Sequence, residues 1–576
     1  MKTMKKFLSM AALAMVGAMT VGCTSEDNVI DQAQTATKNN VVTQTVTVGF
    51  DEQAATRALA IDYTNKKLTK TFAEGDQIAV IYENTSNELV KATVTIAAGD
   101  ISTDGKSATF TVTMTNPKAS GTLKYIYPAA MAGATDVDYN KLNSQDGTLA
   151  SLAANLDLAV YDGTLTAEKA LPASATLENK LAILALTIKD NATTPNDITS
   201  TITGMNIIAG TNSYTITGKD ADVHIYAAIQ ATSGANISYF ATDGTKNYTK
   251  AVTGKTYVAN NIYNLGLKMD DATTVGLGDA TTDPIVNGST LSGLLTNNVK
   301  ISIADGAIVT LKDVTINGIS WTTGDYAGIT CEGSATIILE GENTVKGFNA
   351  SYPGIYVPEG KTLTIMGSGS LNASSNGSGA GIGGCENGTC GNIVIKGGEI
   401  TATGGANGGA GIGGASNGTC GNITISGGTI TATGGNNAAG IGGSFEGTCG
   451  NITISGGTVT ATGGYGGAGI GGGVENYACG TITITSGTVT AAGGDFAAGI
   501  GGGEENYACG TITITSGVTS VTATKGNYAP YSIGKGVDAE EDITVNIDGV
   551  ANATTSSEFP NFTSSVSGNT WTLTHK

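Results

Sequence analysis

The chain has 576 residues, enough for two or three domains, and 40% apolar against 13% charged residues excludes wholesale disorder. Its 84 glycines stand against 9 prolines, so it is neither collagen-like nor a proline-rich disordered chain. The formal net charge is −19 and the one arginine is Arg57. This argues against a nucleic-acid partner, because phosphate neutralisation needs clustered Lys and Arg, and fits a secreted, surface-exposed protein.

Residues 1–22 read as a signal peptide: Lys2, Lys5 and Lys6, then the apolar run Phe7–Val21, then Gly22 before Cys23. The run is too short for a permanent membrane span. Thr20-Val21-Gly22-Cys23 resembles a relaxed lipobox, which implies diacylation of Cys23 and firm anchoring to the outer membrane. The following Thr24-Ser25-Glu26-Asp27 resembles the acidic export signal of Bacteroidetes surface lipoproteins. Residues 23–40 are polar and aperiodic and read as a tether. No later apolar stretch of about 18 residues follows, so nothing after the signal is expected to cross the membrane.

Residues 41–268 carry short alternating strands, among them Thr45–Phe50, Thr93–Ile96, Thr109–Met114, Thr122–Tyr127 and Val223–Ile229. Gly, Asn and Asp turns at this spacing predict an antiparallel β-sandwich. Thr56-Arg57-Ala58, Phe72-Ala73-Glu74-Gly75-Asp76-Gln77-Ile78, Tyr125-Ile126-Tyr127-Pro128 and Gly254-Lys255-Thr256-Tyr257 are similar to the fimbrillin-like family of Bacteroidetes. The resemblance implies a pilin-type sandwich, either in an adhesive pilus or in a lipid-anchored surface protein. It also implies proteolytic processing after Arg57, which would remove the strand near Val41–Phe50, open a groove for a neighbour's strand and sever the anchor.

Residues 269–289 read as a polar linker, after which an internal repeat begins. Gly-Ile-Gly starts at Gly381, Gly411, Gly440, Gly469 and Gly499, spaced 30, 29, 29 and 30, and a Cys recurs at Cys390, Cys420, Cys449, Cys479 and Cys509. Weaker copies precede these at Gly328-Ile329 and Gly354-Ile355, and Ser532-Ile533-Gly534 is a divergent last copy. Three short strands separated by glycine pairs in each unit predict a right-handed parallel β-helix over residues 290–545, closed by a C-terminal cap at 546–576. Period-2 alternation points Ala410, Ile412, Ile423, Ile425, Ile430 and Ala432 inward, stacked on Ala439, Ile441, Ile452, Ile454, Val459 and Ala461. Seven or eight coils at about 4.8 Å each would make a rod of roughly 35–40 Å. The whole is an all-β chain. The repeat region resembles carbohydrate-binding β-helix domains related in shape to pectate lyases.

Four features could carry chemistry. Cysteines stacked one per coil lie within disulfide reach, but seven remain after Cys23 and no paired Cys-x-x-C suits zinc. A mainly free-thiol ladder is expected, with Cys385–Cys390 the first pair to consider if any bridge forms. The loop before each Cys places Glu475, Asn476 and Tyr477, then Glu505, Asn506 and Tyr507, on one edge, while the opposite loop carries Tyr465, Phe496 and Tyr528. Aromatic rows beside amides and carboxylates suit sugar rings, and adjacent carboxylates could hold Ca²⁺. Lyase chemistry is not indicated, since the repeats contain no Arg, and the glutamates form a ladder rather than the facing pair of a glycosidase. The Thr-x-Thr ladders at Thr429–Thr433 and Thr458–Thr462 look like those of ice-binding proteins, but Thr also favours exposed strands.

The expected function is that of a surface-anchored, non-enzymatic adhesion lipoprotein whose β-helix recognises a polysaccharide or host glycan. The alternative is a fimbrial tip or structural pilus subunit, with other fimbrial subunits as partners and a helix that contacts proteins or only projects.

Overall fold

The computed structural model describes residues 41–50, 60–62, 67–210, 212–280, 283–295, 299–318, 325–475, 478–505, 510–539 and 542–576. Cys23, Arg57, Asn476, Tyr477, Asn506, Tyr507 and Cys509 lie outside these residues.

The N-terminal lobe is built from sheets. A seven-stranded sheet runs in the order Leu89–Thr95, Gln77–Glu83, Thr122–Tyr127, Ala159–Thr164, Ser174–Asn179, Val41–Phe50 and Ser107–Thr115. Its second strand, Gln77–Glu83, is buried along five consecutive residues rather than alternating. Ile78, Val80 and Tyr82 enter one core while Ala79 and Ile81 enter a second, so both faces are covered. The second core is shared with the sheets containing Leu181–Lys189 and Thr232–Thr242. The pairing is mainly antiparallel, as the alternation predicts, with three long-range parallel exceptions, one of them the short pairing of Asn212–Ile216 with Ser144–Gln145. Val41–Phe50 runs parallel to Ser174–Asn179, and Leu181–Lys189 runs parallel to Ile262–Lys268.

The C-terminal lobe is a parallel β-helix. One face is a nine-stranded parallel sheet from Ile301–Ile303 to Ile533–Gly534; the other two faces merge into an 18-stranded sheet. The repeats stack in register: Ile412, Ile441, Ile470, Ile500 and Ile533 form one inward column, and Ile423, Ile452, Ile482 and Ile512 another. Each is at most 3% exposed. A single coil could not bury these side chains; the column does so because every residue meets its own counterpart above and below.

Parallel pairing begins earlier than expected. Thr274–Gly276 pairs with Thr290–Leu294 and Leu277 is fully buried, so the stretch read as a linker contributes to the first coil and its core. At the other end Val545–Ile547 extends one face. The hairpin of Phe562–Ser567 and Thr570–His575 then turns antiparallel onto Val518–Thr524, and Trp571 closes the core.

The lobes lie side by side. Phe240 packs on Ile338 and Met366, Lys312 Nζ donates to the Gly244 carbonyl at 2.8 Å, and Asn140 Nδ2 donates to the Ser455 carbonyl at 3.1 Å. The sandwich thus packs on the strand face around Ile338 and Met366 in the early coils and meets the Ser-Gly-Gly corner, at Ser455, farther along.

Candidate functional site

Each coil leaves its Thr-Ala-Thr strand through a glycine pair, turns, passes through the two-residue Ile-Gly strand, and turns again before its cysteine. The glycines are required by closeness: a Cβ on Gly464 or Gly494 would lie 1.8 Å from the carbonyl oxygen of the preceding coil. With backbones this near, residues following the pair stack directly. The Tyr465 and Phe496 rings lie 5.0 Å apart at 67°, edge to face, and Phe496 and Tyr528 lie 4.9 Å apart at 15°, stacked. The Phe496 ring is therefore covered by its neighbours. Tyr465 (54% exposed) and Tyr528 (67% exposed) offer the accessible aromatic surface, and Tyr531, three residues after Tyr528, is 50% exposed.

The second row is held by an unusual backbone. Asn387, Asn417, Glu446, Glu475, Glu505 and Asp538 all have φ between 46° and 56°. This left-handed region suits Asn but costs about 1–2 kcal/mol for a residue such as Glu. Three consecutive coils nevertheless place glutamate there. Burial first, and then Glu505 and Asp538, push the neighbouring Glu504 carboxyl above the ordinary glutamate range.

The two rows do not lie on opposite edges, as the order of the loops suggests. Because the strand between them has only two residues, the loops meet. Val474 N donates to the Asn437 carbonyl at 2.8 Å, Glu504 N to Gly466 at 2.8 Å, and Val537 N to Phe496 at 2.9 Å. Each bond joins an acidic loop to the aromatic loop one coil before it. Tyr465, Phe496, Tyr528, Glu475 and Glu505 thus share one side of the helix, away from the sandwich. A polar ladder runs beside the rings: Asn527 Nδ2 donates to Asp495 Oδ1 at 3.2 Å and Asn569 Nδ2 to Asn527 Oδ1 at 3.3 Å. Asp495, Glu504, Asn527, Tyr531, Asp538 and Asn569 are additions to the sequence reading. Asp538 was findable, since it follows Ile533 by the same five positions that separate Glu505 from Ile500. Among the described residues no group of three or more His, Cys, Asp or Glu side chains is placed to hold a metal ion.

Cys390, Cys420, Cys449 and Cys479 form a buried column in register. Cys385 and Cys390 are not bridged: Cys390 points into the core while Cys385 stays half-buried in the loop. Hydrogen bonding to Cys390 and burial raise the Cys420 thiol far above its usual range, and Cys479 and burial do the same for Cys449. Burial pushes Cys331 up to about 12. Thiolate is the reactive form, so at about pH 8 an aromatic disulfide reagent should label Cys385 well before Cys331, Cys390, Cys420 or Cys449, and these only after denaturant is added. Rapid native labelling of the column, read by peptide mass spectrometry, would contradict this burial.

The strand that a cut after Arg57 would detach is interior to its sheet. Val41–Phe50 pairs with Ser107–Thr115 over nine residues, Val46 and Val48 are buried, and Thr47 Oγ1 lies 2.8 Å from Thr109 Oγ1.

Four segments, 393–416, 423–445, 452–474 and 482–504, match a family described as beta helix repeat. Solved structures similar to the chain include a candidate cell adhesion protein from Bacteroides ovatus (12% identity, 40% of this chain and 96% of that one, TM-score 0.23). Another is a candidate cell adhesion protein from Bacteroides uniformis (14%, 39% and 96%, TM-score 0.24). A third is a fimbrial assembly protein from Parabacteroides distasonis (10%, 39% and 90%, TM-score 0.24). No curated protein matches the chain.

Proposed function

We propose that the chain is a surface adhesion lipoprotein, anchored to the outer membrane through Cys23, whose β-helix recognises a polysaccharide or host glycan at the aromatic and acidic corner. The observation that carries this reading is the meeting of the two loop rows on the side of the helix that the sandwich leaves uncovered. Tyr528 offers a ring face to a sugar, and the carboxylates and amides beside it accept and donate to hydroxyls. The glutamates support the same reading. Asn occupies the same backbone position at less cost in the two coils that precede them, so Glu there at a cost calls for a reason other than stability. The sandwich serves as the spacer between anchor and helix, and no catalytic group is assigned.

The test is binding of the full chain to a glycan array, with Ca²⁺ and with a chelator. Tyr528→Ala should weaken binding to any glycan captured about tenfold or more, and Glu475→Gln should weaken it less. If no glycan binds, or if Tyr465→Ala, Phe496→Ala and Tyr528→Ala together leave binding and cell adhesion unchanged, the reading fails. A protein-contacting fimbrial role is favoured by one other observation: among the described residues no strand pairs with the outer edge of Ile533–Gly534, while the neighbouring faces are continued by Val545–Ile547 and Thr570–His575. Loss of adhesion to protein-coated surfaces alone, with the array blank, would favour that role.

A further inference from the structure

Where the lobes face each other they do not close completely. A trough runs between the turn at Asp138–Asn143 of the sandwich and the Ser-Gly-Gly corner of the helix, with two lobes of about 500 and 520 Å³ that share Asp138, Asn140, Lys141, Ser455 and Ser486. Binding sites form preferentially at such domain boundaries.

The chemistry of its walls differs from that of the outer corner. The helix supplies Ser426, Ser455 and Ser486, one hydroxyl per coil in a line, set among glycine backbone. The charged groups are Lys91, Lys141 and Lys396 against Asp136 and Asp138. Both carboxylates are already engaged within the sandwich. Asp136 is ion-paired with Lys124, and Asp138 accepts from Asn140 N at 3.2 Å and lies 3.9 Å from Lys141 Nζ. In a chain of net charge −19, three lysines spread along one trough against two carboxylates are a local reversal of sign.

We propose that this trough is a second binding site, for an anionic oligosaccharide bearing carboxylate or sulfate groups. The serine line gives a linear, repeating ligand hydroxyl partners at coil spacing, and Lys91, Lys141 and Lys396 receive its charges. Desolvation at the wall, and then neighbouring Lys141, lower the proton affinity of Lys91, and Asp138 offsets this only in part. The aromatic corner, with Glu475, Glu504, Glu505 and Asp538, repels such a ligand, so the two sites select saccharides of different charge.

Calorimetric titration of the full chain tests this with a sulfated hexasaccharide, a galacturonate hexamer, a neutral glucan hexamer and a poly-glutamate peptide. At least one anionic saccharide should bind, at least about tenfold more tightly than the neutral one, and more weakly as salt rises. Lys141→Glu and Lys91→Glu, both at exposed positions, should each weaken it about tenfold without changing thermal unfolding. Tyr528→Ala and Glu475→Gln should leave it unchanged, which separates this site from the outer corner. The proposal is overturned if no anionic saccharide binds, if the lysine changes have no effect, if Tyr528→Ala abolishes the binding, or if poly-glutamate alone binds.

Discussion

Gly442→Ala should destabilise the β-helix by about 3 kcal/mol or more, seen as a lower denaturant midpoint for loss of its β signal. Gly442 sits in the Ile-Gly strand at φ +131°, and an added Cβ would lie 2.1 Å from the Gly471 carbonyl oxygen and 3.1 Å from Ile452 Cδ1. The first contact is with backbone, so no rotamer change relieves it, and the coils must separate locally. The separation would also break the in-register pairing of Ile441 with Ile470. Gly293→Ala is the control. It too has a positive φ, +89°, but nothing lies within 4 Å of the added atom, so only backbone strain of about 1 kcal/mol is expected. Equal losses for the two variants would show that stacking distance is not what selects glycine in the repeat.

Asp157→Ala should cost about 3–5 kcal/mol in the sandwich, because it leaves a buried ammonium without its partner. Lys70 Nζ lies 2.7 Å from Asp157 Oδ1 and donates to the Asp157 carbonyl at 2.9 Å, and both side chains are at most 6% exposed. Burial is the largest influence on each group, lowering the proton affinity of Lys70 and raising that of Asp157; the mutual attraction opposes it in both. Without Asp157, the folded-state value of Lys70 falls further below its unfolded value. The penalty is full between the folded-state value of Asp157, below which the wild type loses its counter-charge too, and that of Lys70 in the variant, and it shrinks as pH rises through the latter towards the value of an ordinary lysine. The paired replacement Lys70→Met with Asp157→Leu should recover most of the loss, since apolar groups of similar size need no counter-charge. A pH-independent deficit, or no recovery in the double variant, would rule out the uncompensated charge as its cause.

Much of the helix was legible because its signal is periodic. The spacing of Gly381, Gly411, Gly440, Gly469 and Gly499 fixes the coil length, and alternation around Ile423 and Ile430 fixes which side chains point inward. Periodicity says nothing about how long each face is. The Ile-Gly strand is only two residues long, so the turns on either side of it come together, and this placed Tyr465 and Glu504 in adjoining loops that chain order alone set apart. In the sandwich, Thr122–Tyr127 was read at its true limits, while the parallel pairing of Val41–Phe50 with Ser174–Asn179 joins residues too far apart for local pattern to report. Nor did the linker signal hold: Leu277 stands among polar residues, but its burial depends on a coil that only the folded helix provides.

The register of the coils has a consequence for how such a surface changes over generations. The isoleucine and cysteine columns, and the left-handed turn position, recur in register from coil to coil. Duplicating or deleting one unit therefore lengthens or shortens all columns at once and creates no new junction. The outer corner behaves as a ruler graduated at one strand spacing, about 4.8 Å. Reach along a polymeric ligand can be set by copy number, while the residues at the tip of each turn are free to drift.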